Sequence, residues 1–193
     1  MSEQRELSEH EKDLELLYKQ MEEVEKKMVA LKQRWGAGDV QDYTLQGPAG
    51  PVKLSQAFGD QEFMVLVHNM GASCPYCTLW ADGFASIWQF IEKGVPGGKT
   101  KAAFVLTSPD APDKQQEVAA KRDWDFRMLS LQGTTLAEDL GYADGKGNYG
   151  PGVSILKRQG EKITRVARDY FGPGDKYNAV FSFFQLMPGS PSH

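Results

Sequence analysis

Cys74 and Cys77 are the two cysteines of the 193-residue chain, and they stand three positions apart. A lone pair at this spacing is no disulfide framework. Two chemistries remain: a redox dithiol or a metal clip. A closed zinc site needs four ligands, normally with a second Cys or His pair at regular spacing. The further nitrogen ligands are His10, His68 and His193, which form no such pair. The redox reading is therefore favoured. The pair also lies where nucleophilic sulfur is wanted. An apolar run, residues 63 to 67, reads as a buried strand ending near His68, and residues 69 to 73 form a turn. A helix should open at Cys74-Pro75-Tyr76-Cys77. Free N–H groups and the macrodipole at a helix start favour a thiolate, the attacking species in thiol–disulfide exchange. Pro75 suits the first turn because its missing N–H is not needed there. Cys77, one turn on, can resolve a mixed disulfide. His68, six residues before Cys74, is either a proton carrier to Cys77 or a histidine hydrogen-bonded at the strand end.

The elements that must position this pair follow from periodicity. Residues 8 to 35 predict one long helix, with Leu14, Leu17, Met21, Val24, Met28, Leu31 and Trp35 spaced alternately three and four apart, a heptad seam. Glu15 with Lys19, Glu22 with Lys26 and Glu23 with Lys27 are i,i+4 pairs, and Gly36 and Gly38 should supply the stop. The seam suits a partner helix, with docking of Trp35 and Met28 on the chain's own body as the alternative cover. Beyond it come a small hairpin around residues 47 to 50, a helical turn at 55 to 58 and the strand at 63 to 67. A helix at 75 to 93 is followed by a second buried strand at 102 to 106 and a helix at 113 to 122. A strand at 126 to 131, a short helix at 134 to 140, a hairpin across Gln159-Gly160 and a last helix at 175 to 187 complete the pattern. In that last helix Val180, Phe183, Phe184 and Met187 form the expected apolar side. Trp80 and Phe84 read as core, and Asp82 as a surface charge.

Composition excludes several classes. Hydrophobic residues make up 40% and charged residues 25%, which is globular usage. The net charge of −4 and the lack of a basic block argue against nucleic acid and against an anionic membrane surface. No apolar run reaches the ~18 residues of a membrane span. The polar start lacks a secretory h-region, so a cytoplasmic protein is expected. Residues 94 to 100, Gly-Val-Pro-Gly-Gly-Lys-Thr, are one residue short of a phosphate-binding loop and lead into a strand rather than a helix.

Cys74-Pro75-Tyr76-Cys77 after a buried strand resembles the thioredoxin and glutaredoxin active site. Thioredoxins carry an acidic residue six before the first cysteine, where this chain has His68. They also have a cis proline before the strand facing the dithiol, and Pro151 is the matching candidate; an ordinary trans bond is the commoner state of any such peptide. Asp42-Tyr43-Thr44-Leu45 with Val52-Lys53-Leu54-Ser55 resembles the start of alkyl-hydroperoxide-reductase-like thioredoxin folds. The stretch from His68-Asn69-Met70-Gly71 to Asp82-Gly83-Phe84, with Pro151-Gly152-Val153-Ser154 and Phe171-Gly172-Pro173-Gly174-Asp175, is similar to a bacterial thioredoxin-like family of unknown function, numbered eight-nine-nine among such domains. The chain departs from the peroxiredoxin motif: that motif needs Pro seven and Thr three before its cysteine, and here Val67 and Gly71 stand there.

Together these readings predict a thioredoxin-like α/β domain over residues 39 to 187, an N-terminal helical arm over 1 to 38 and a disordered tail over 188 to 193. The expected activity is thiol–disulfide exchange on a protein or small-molecule disulfide, with no cofactor and no bound metal. Cys74 attacks, Cys77 resolves, His68 assists, and Pro75, Tyr76 and Pro151 face the substrate. The alternatives are a binding module holding a soft metal through Cys74, Cys77 and His68, or an atypical thiol peroxidase. A homodimer through the helical arm is the expected assembly.

Overall fold

The computed structural model describes residues 8–189; residues 1 to 7 and most of the expected tail, from 190 on, lie outside them. Helix α1 (Glu9–Gly36) starts on a capping box. The Ser8 hydroxyl accepts the Glu11 N–H at 3.3 Å and the Glu11 carboxylate accepts the Ser8 N–H at 2.8 Å. Then follow β1 (Gly38–Val40), β2 (Thr44–Gly47), β3 (Gly50–Lys53), α2 (Leu54–Ala57), β4 (Phe63–His68), α3 (Pro75–Ala85), α4 (Trp88–Lys93) and β5 (Ala103–Ser108). The chain continues through α5 (Pro112–Arg122), β6 (Arg127–Ser130), α6 (Leu136–Asp139), β7 (Gly152–Gln159), β8 (Lys162–Tyr170) and α7 (Val180–Gln185).

The strands form one mixed sheet in the order β1-β8-β7-β4-β5-β6-β2-β3. β4, β5 and β6 run parallel, and β7 lies antiparallel against β4, pairing His68 with Gly152. Side chains alternate across β4. Met64 and Leu66 enter one core layer with Leu54, Phe58, Leu136 and Tyr142. Val67 enters the other with Trp80, Phe84, Phe104 and Phe171. The layout is the expected thioredoxin-like α/β fold.

Four local expectations change. Gly36 is the last helical residue and does not end α1 by a left-handed turn. A Cβ there would lie 2.5 Å from Ala167 C and Arg168 N, so its smallness lets the helix end press onto β8. The helix expected over 75 to 93 breaks at Ser86-Ile87, where Ser86 returns both its hydroxyl (2.8 Å) and its N–H (3.3 Å) to the Gly83 carbonyl. The last helix shrinks to six residues because Asp175 folds the preceding chain into a turn, accepting the Gly172 and Tyr177 N–H groups at 2.9 and 2.8 Å. Its buried side is Phe181, while Phe183, Phe184 and Met187 are exposed. Lys26 takes both Glu22 and Glu23, leaving Lys27 outside the pair expected of it. No helix among the described residues is long and apolar enough to cross a membrane.

Candidate active site

β4 delivers the chain to the dithiol through a loop held by hydrogen bonds from its N–H groups and from Asn69. The Asn69 N–H bonds the Thr107 carbonyl at 2.9 Å, holding the exit to β5. Asn69 Oδ1 accepts the Gly71 N–H at 2.7 Å, and its Nδ2 donates to the Cys77 carbonyl at 3.5 Å. Gly71 has φ +108°, and a Cβ there would sit 3.2 Å from Asp110 Oδ2. That carboxylate oxygen accepts the Ala72 N–H and the Ser108 hydroxyl, each at 2.9 Å. Gln115, buried on α5, donates to Ser108 Oγ at 2.9 Å. Asn69, Ser108, Asp110 and Gln115 thus fix the two residues before Ser73-Cys74, a role the sequence reading did not assign. The available signals were Asn69 and Gly71 in the turn and Asp110 closing the end of β5.

Cys74 is the N-cap of α3 with Pro75 in the first turn, as expected. Its half-buried Sγ accepts the Cys77 N–H at 3.3 Å. Its carbonyl accepts the Thr78 N–H and hydroxyl at 3.1 and 3.0 Å. Cys77 is 2% exposed, and its Sγ accepts the Met70 N–H at 3.4 Å. Burial pushes the Cys77 thiol up to about 12, against the Met70 hydrogen bond and with the neighbouring Cys74 adding to the rise. Both thiols are free. Tyr76 is exposed beside them, its ring 6.3 Å from that of Trp80. Trp80 and Phe84 are core, and Trp80 Nε1 reaches Asp175 at 3.4 Å. Asp82 is on the surface, bonded to Arg122 at 2.8 Å and Trp124 at 2.9 Å.

Pro151 joins Cys77, Val67, Trp80 and Phe171 around one narrow void, so the structure brings it to the dithiol. Its carbonyl accepts the Phe171 N–H at 3.1 Å. Its peptide bond is trans, as are all others among the described residues, so the cis form implied by the thioredoxin likeness is absent here.

His68 does not join the sulfurs through any hydrogen bond. Its parity in β4 follows Met64 and Leu66, so its ring turns to the layer that holds Tyr142. It stacks on Tyr142 with centroids 3.7 Å apart and 11° between planes, and its Nε2 lies 3.0 Å from Ser154 Oγ. Its Nδ1 is buried without a partner. Burial, then Arg165 and Arg168, push its pKa down to about 3, so the ring is neutral at pH 7. A charged proton carrier at neutral pH is therefore not what this ring supplies. The metal alternative also loses its third ligand: among the described residues no group of three His, Cys, Asp or Glu could hold an ion. Beyond His68 the cluster runs outward, with Arg168 over the rings of Tyr142 (4.8 Å), Tyr170 (4.8 Å) and Trp35 (4.3 Å).

No curated protein matches the chain significantly. Solved structures do. Peroxidoxin BcpB from Mycobacterium tuberculosis superposes with a TM-score of 0.58 at 23% identity, over 70% of this chain and 84% of that one. The bacterioferritin comigratory protein of Xanthomonas campestris, whose alkyl peroxide reduction has been described, gives 0.54 at 16% identity over 74% and 89%. Reduced Prx3 from Vibrio vulnificus, solved with hydrogen peroxide, gives 0.55 at 15% over 72% and 86%. At these identities the likeness is one of fold. A family model matches residues 2–189, almost the whole length, and the chain belongs to that family, described as a bacterial protein of unknown function (DUF899).

Proposed function

We propose that the protein is a thiol–disulfide oxidoreductase working through Cys74 and Cys77. The observation that carries this reading is the pairing of a half-exposed N-cap sulfur with a buried sulfur behind it, one turn along α3. The Cys77 N–H already points at Cys74 Sγ, so a negative charge on that sulfur is met by a donor at 3.3 Å and by the helix start. The Cys74 thiolate attacks one sulfur of a substrate disulfide; a Cys74–substrate bond forms and the other substrate sulfur leaves as thiolate. Cys77 then gives its proton to the substrate thiolate released in the first step and attacks Cys74 Sγ; the Cys74–substrate bond breaks and the second substrate sulfur leaves as thiolate. Two electrons have passed to the substrate, and Cys74–Cys77 is a disulfide awaiting an external dithiol donor. With its pKa pushed up to about 12, Cys77 stays a thiol until that second step and does not compete as nucleophile. Pro75, Tyr76 and Pro151 form the surface a substrate meets, and His68 acts as a positioning residue behind β4. A reducing, cytoplasmic setting suits this cycle.

Peroxide reduction is the second reading, because the structural neighbours are named as peroxiredoxins. Against it, the peroxiredoxin threonine position is Gly71, whose φ of +108° and closeness to Asp110 exclude a branched side chain. Insulin-disulfide reduction, assayed beside peroxide consumption with the same set of dithiol donors, separates the two. Turnover of insulin that is lost in Cys74→Ser, with Cys77→Ser trapping a mixed disulfide, is the expected result. Peroxide turnover that survives Cys77→Ser while insulin is untouched would replace this reading by the peroxidase.

A further inference from the structure

The heptad seam of α1 is left open by the chain's own body. From Leu14 to Leu31 its six apolar side chains are each about half exposed, between 49% for Met28 and 58% for Leu17 and Leu31. The body touches a different stripe. Lys32 pairs with Asp169, Glu25 with Lys176 at 2.6 Å, and Gly36 is buried on β8. Trp35, the last seam residue, is used at home: its ring lies under the Arg168 guanidinium and meets Tyr170 edge-on. The free seam therefore runs from Leu14 to Leu31, and a continuous apolar stripe of this length on a water-soluble helix calls for a cover.

We infer that α1 pairs with α1 of a second copy, antiparallel, about a two-fold axis between residues 22 and 23. The flanking charges choose this direction. With Leu14, Met21 and Met28 at a positions and Leu17, Val24 and Leu31 at d, the g positions are Asp13, Gln20, Lys27 and Arg34, and Tyr18, Glu25 and Lys32 are at e. A parallel pair would set Lys27 against Lys32 of the second copy, a like-charge contact, and would give Asp13 only Tyr18. An antiparallel pair sets Asp13 against Arg34 and Gln20 against Lys27, twice each by symmetry. The residues that need partners are the ones without them. The arm's ion pairs are Lys19–Glu15, Lys26–Glu22, Lys26–Glu23, Lys32–Asp169 and Lys176–Glu25, and among the described residues Asp13, Lys27 and Arg34 enter no ion pair. In the same register Leu14 packs against Leu31, Leu17 against Met28 and Met21 against Val24, so every free seam residue is covered. Each body then hangs at an opposite end of the helix pair, and Trp35 stays on its own domain.

Cross-linking tests both the pairing and its direction. In a Cys74→Ser/Cys77→Ser background, Leu14→Cys and Leu31→Cys are made singly, each checked for helix content by circular dichroism. Co-expression of the two should yield a covalent dimer on oxidation, and neither variant alone should. Self-linking of each variant alone would show a parallel pair and overturn the antiparallel inference. A full-length chain of monomeric mass by light scattering at tens of micromolar would overturn the pairing itself. As a second arm, Asp13→Arg should weaken the dimer about tenfold and Asp13→Arg/Arg34→Asp should restore it; failure of the double exchange to restore it would exclude this register.

Discussion

The two sulfurs differ in what surrounds them, and that difference sets their chemistry. Cys74 is half exposed at the N-cap of α3, while Cys77 is sealed behind Trp80 with its thiol pushed up to about 12. Brief iodoacetamide treatment of the reduced protein near neutral pH should therefore modify Cys74 first, by at least tenfold over Cys77, since the thiolate is the reacting form. Mass-spectrometric mapping of the alkylated peptides reads the ratio, and preferential labelling of Cys77 would reverse the roles. The placement of Cys74 at a helix start with Cys77 one turn on was legible in the sequence, because a strand, a short turn and Cys-Pro-Tyr-Cys leave few other arrangements. The face of His68 was not. The run Phe63-Met64-Val65-Leu66-Val67 is apolar throughout, so no alternation marks which side of the sheet residue 68 takes, and only packing decides it. The Asn69–Asp110 network was hidden for a different reason: its members come from separate segments, and pairing across them leaves no local period.

Among the elements, α1 meets β8 at a contact whose tightest point is a glycine. Gly36→Ala places a methyl against the backbone of Ala167 and Arg168, which cannot yield as a flexible side chain would. Overpacking of this kind costs about 1–3 kcal/mol. The expected outcome is a lower melting temperature together with faster proteolytic cutting between arm and body. Gly38→Ala, where nothing lies within 4 Å of the added carbon, serves as the control and should leave both unchanged. The heptad period made α1 readable in advance, the unbroken apolar run β4, and the Gln159-Gly160 turn signal the β7–β8 hairpin. β1 was missed because three residues, Gly38-Asp39-Val40, carry no pattern of their own; their pairing with β8 exists only once β8 is in place. The long final helix failed for the converse reason, since the Asp175 turn bonds side chain to backbone and overrides an apolar spacing.

For the whole molecule, buried neutral groups bound the pH range of stability. Burial, with Arg165 and Arg168 adding to it, pushes the folded His68 pKa down to about 3 from an ordinary 6.5. Above pH 6.5 the ring is neutral in both states and its contribution is complete. As pH falls, the unfolded chain takes up a proton that the folded ring refuses, so stability drops until about pH 3. The slope from this group is at most about 1.4 kcal/mol per pH unit. Cys77 acts at the other end: burial keeps its thiol protonated in the fold to about 12 against an ordinary 9.0, so the reduced protein loses stability as pH rises above about 9. Urea unfolding at a series of pH values should give an acid limb between 6.5 and 3 that flattens in His68→Gln. An unchanged limb in that variant would mean that the ring is charged in the folded state.

Trp80 and Trp35 occupy very different settings, and the protein thereby carries its own optical probes. Trp80 begins the turn after Cys77, is 3% exposed and rests on Phe171 with ring centroids 5.4 Å apart. Trp35 is 51% exposed and lies under the Arg168 guanidinium. Thiol sulfur quenches indole emission at short range, whereas water reddens it. If Cys74 and Cys77 form the proposed disulfide, its opening and closing should change the emission intensity of Trp80, and lifting of the arm should shift the colour of Trp35. The chain has four tryptophans, so replacing Trp35, Trp88 and Trp124 by phenylalanine leaves Trp80 as the sole emitter, and the proposed redox cycle can then be followed by native fluorescence without a dye or a tag.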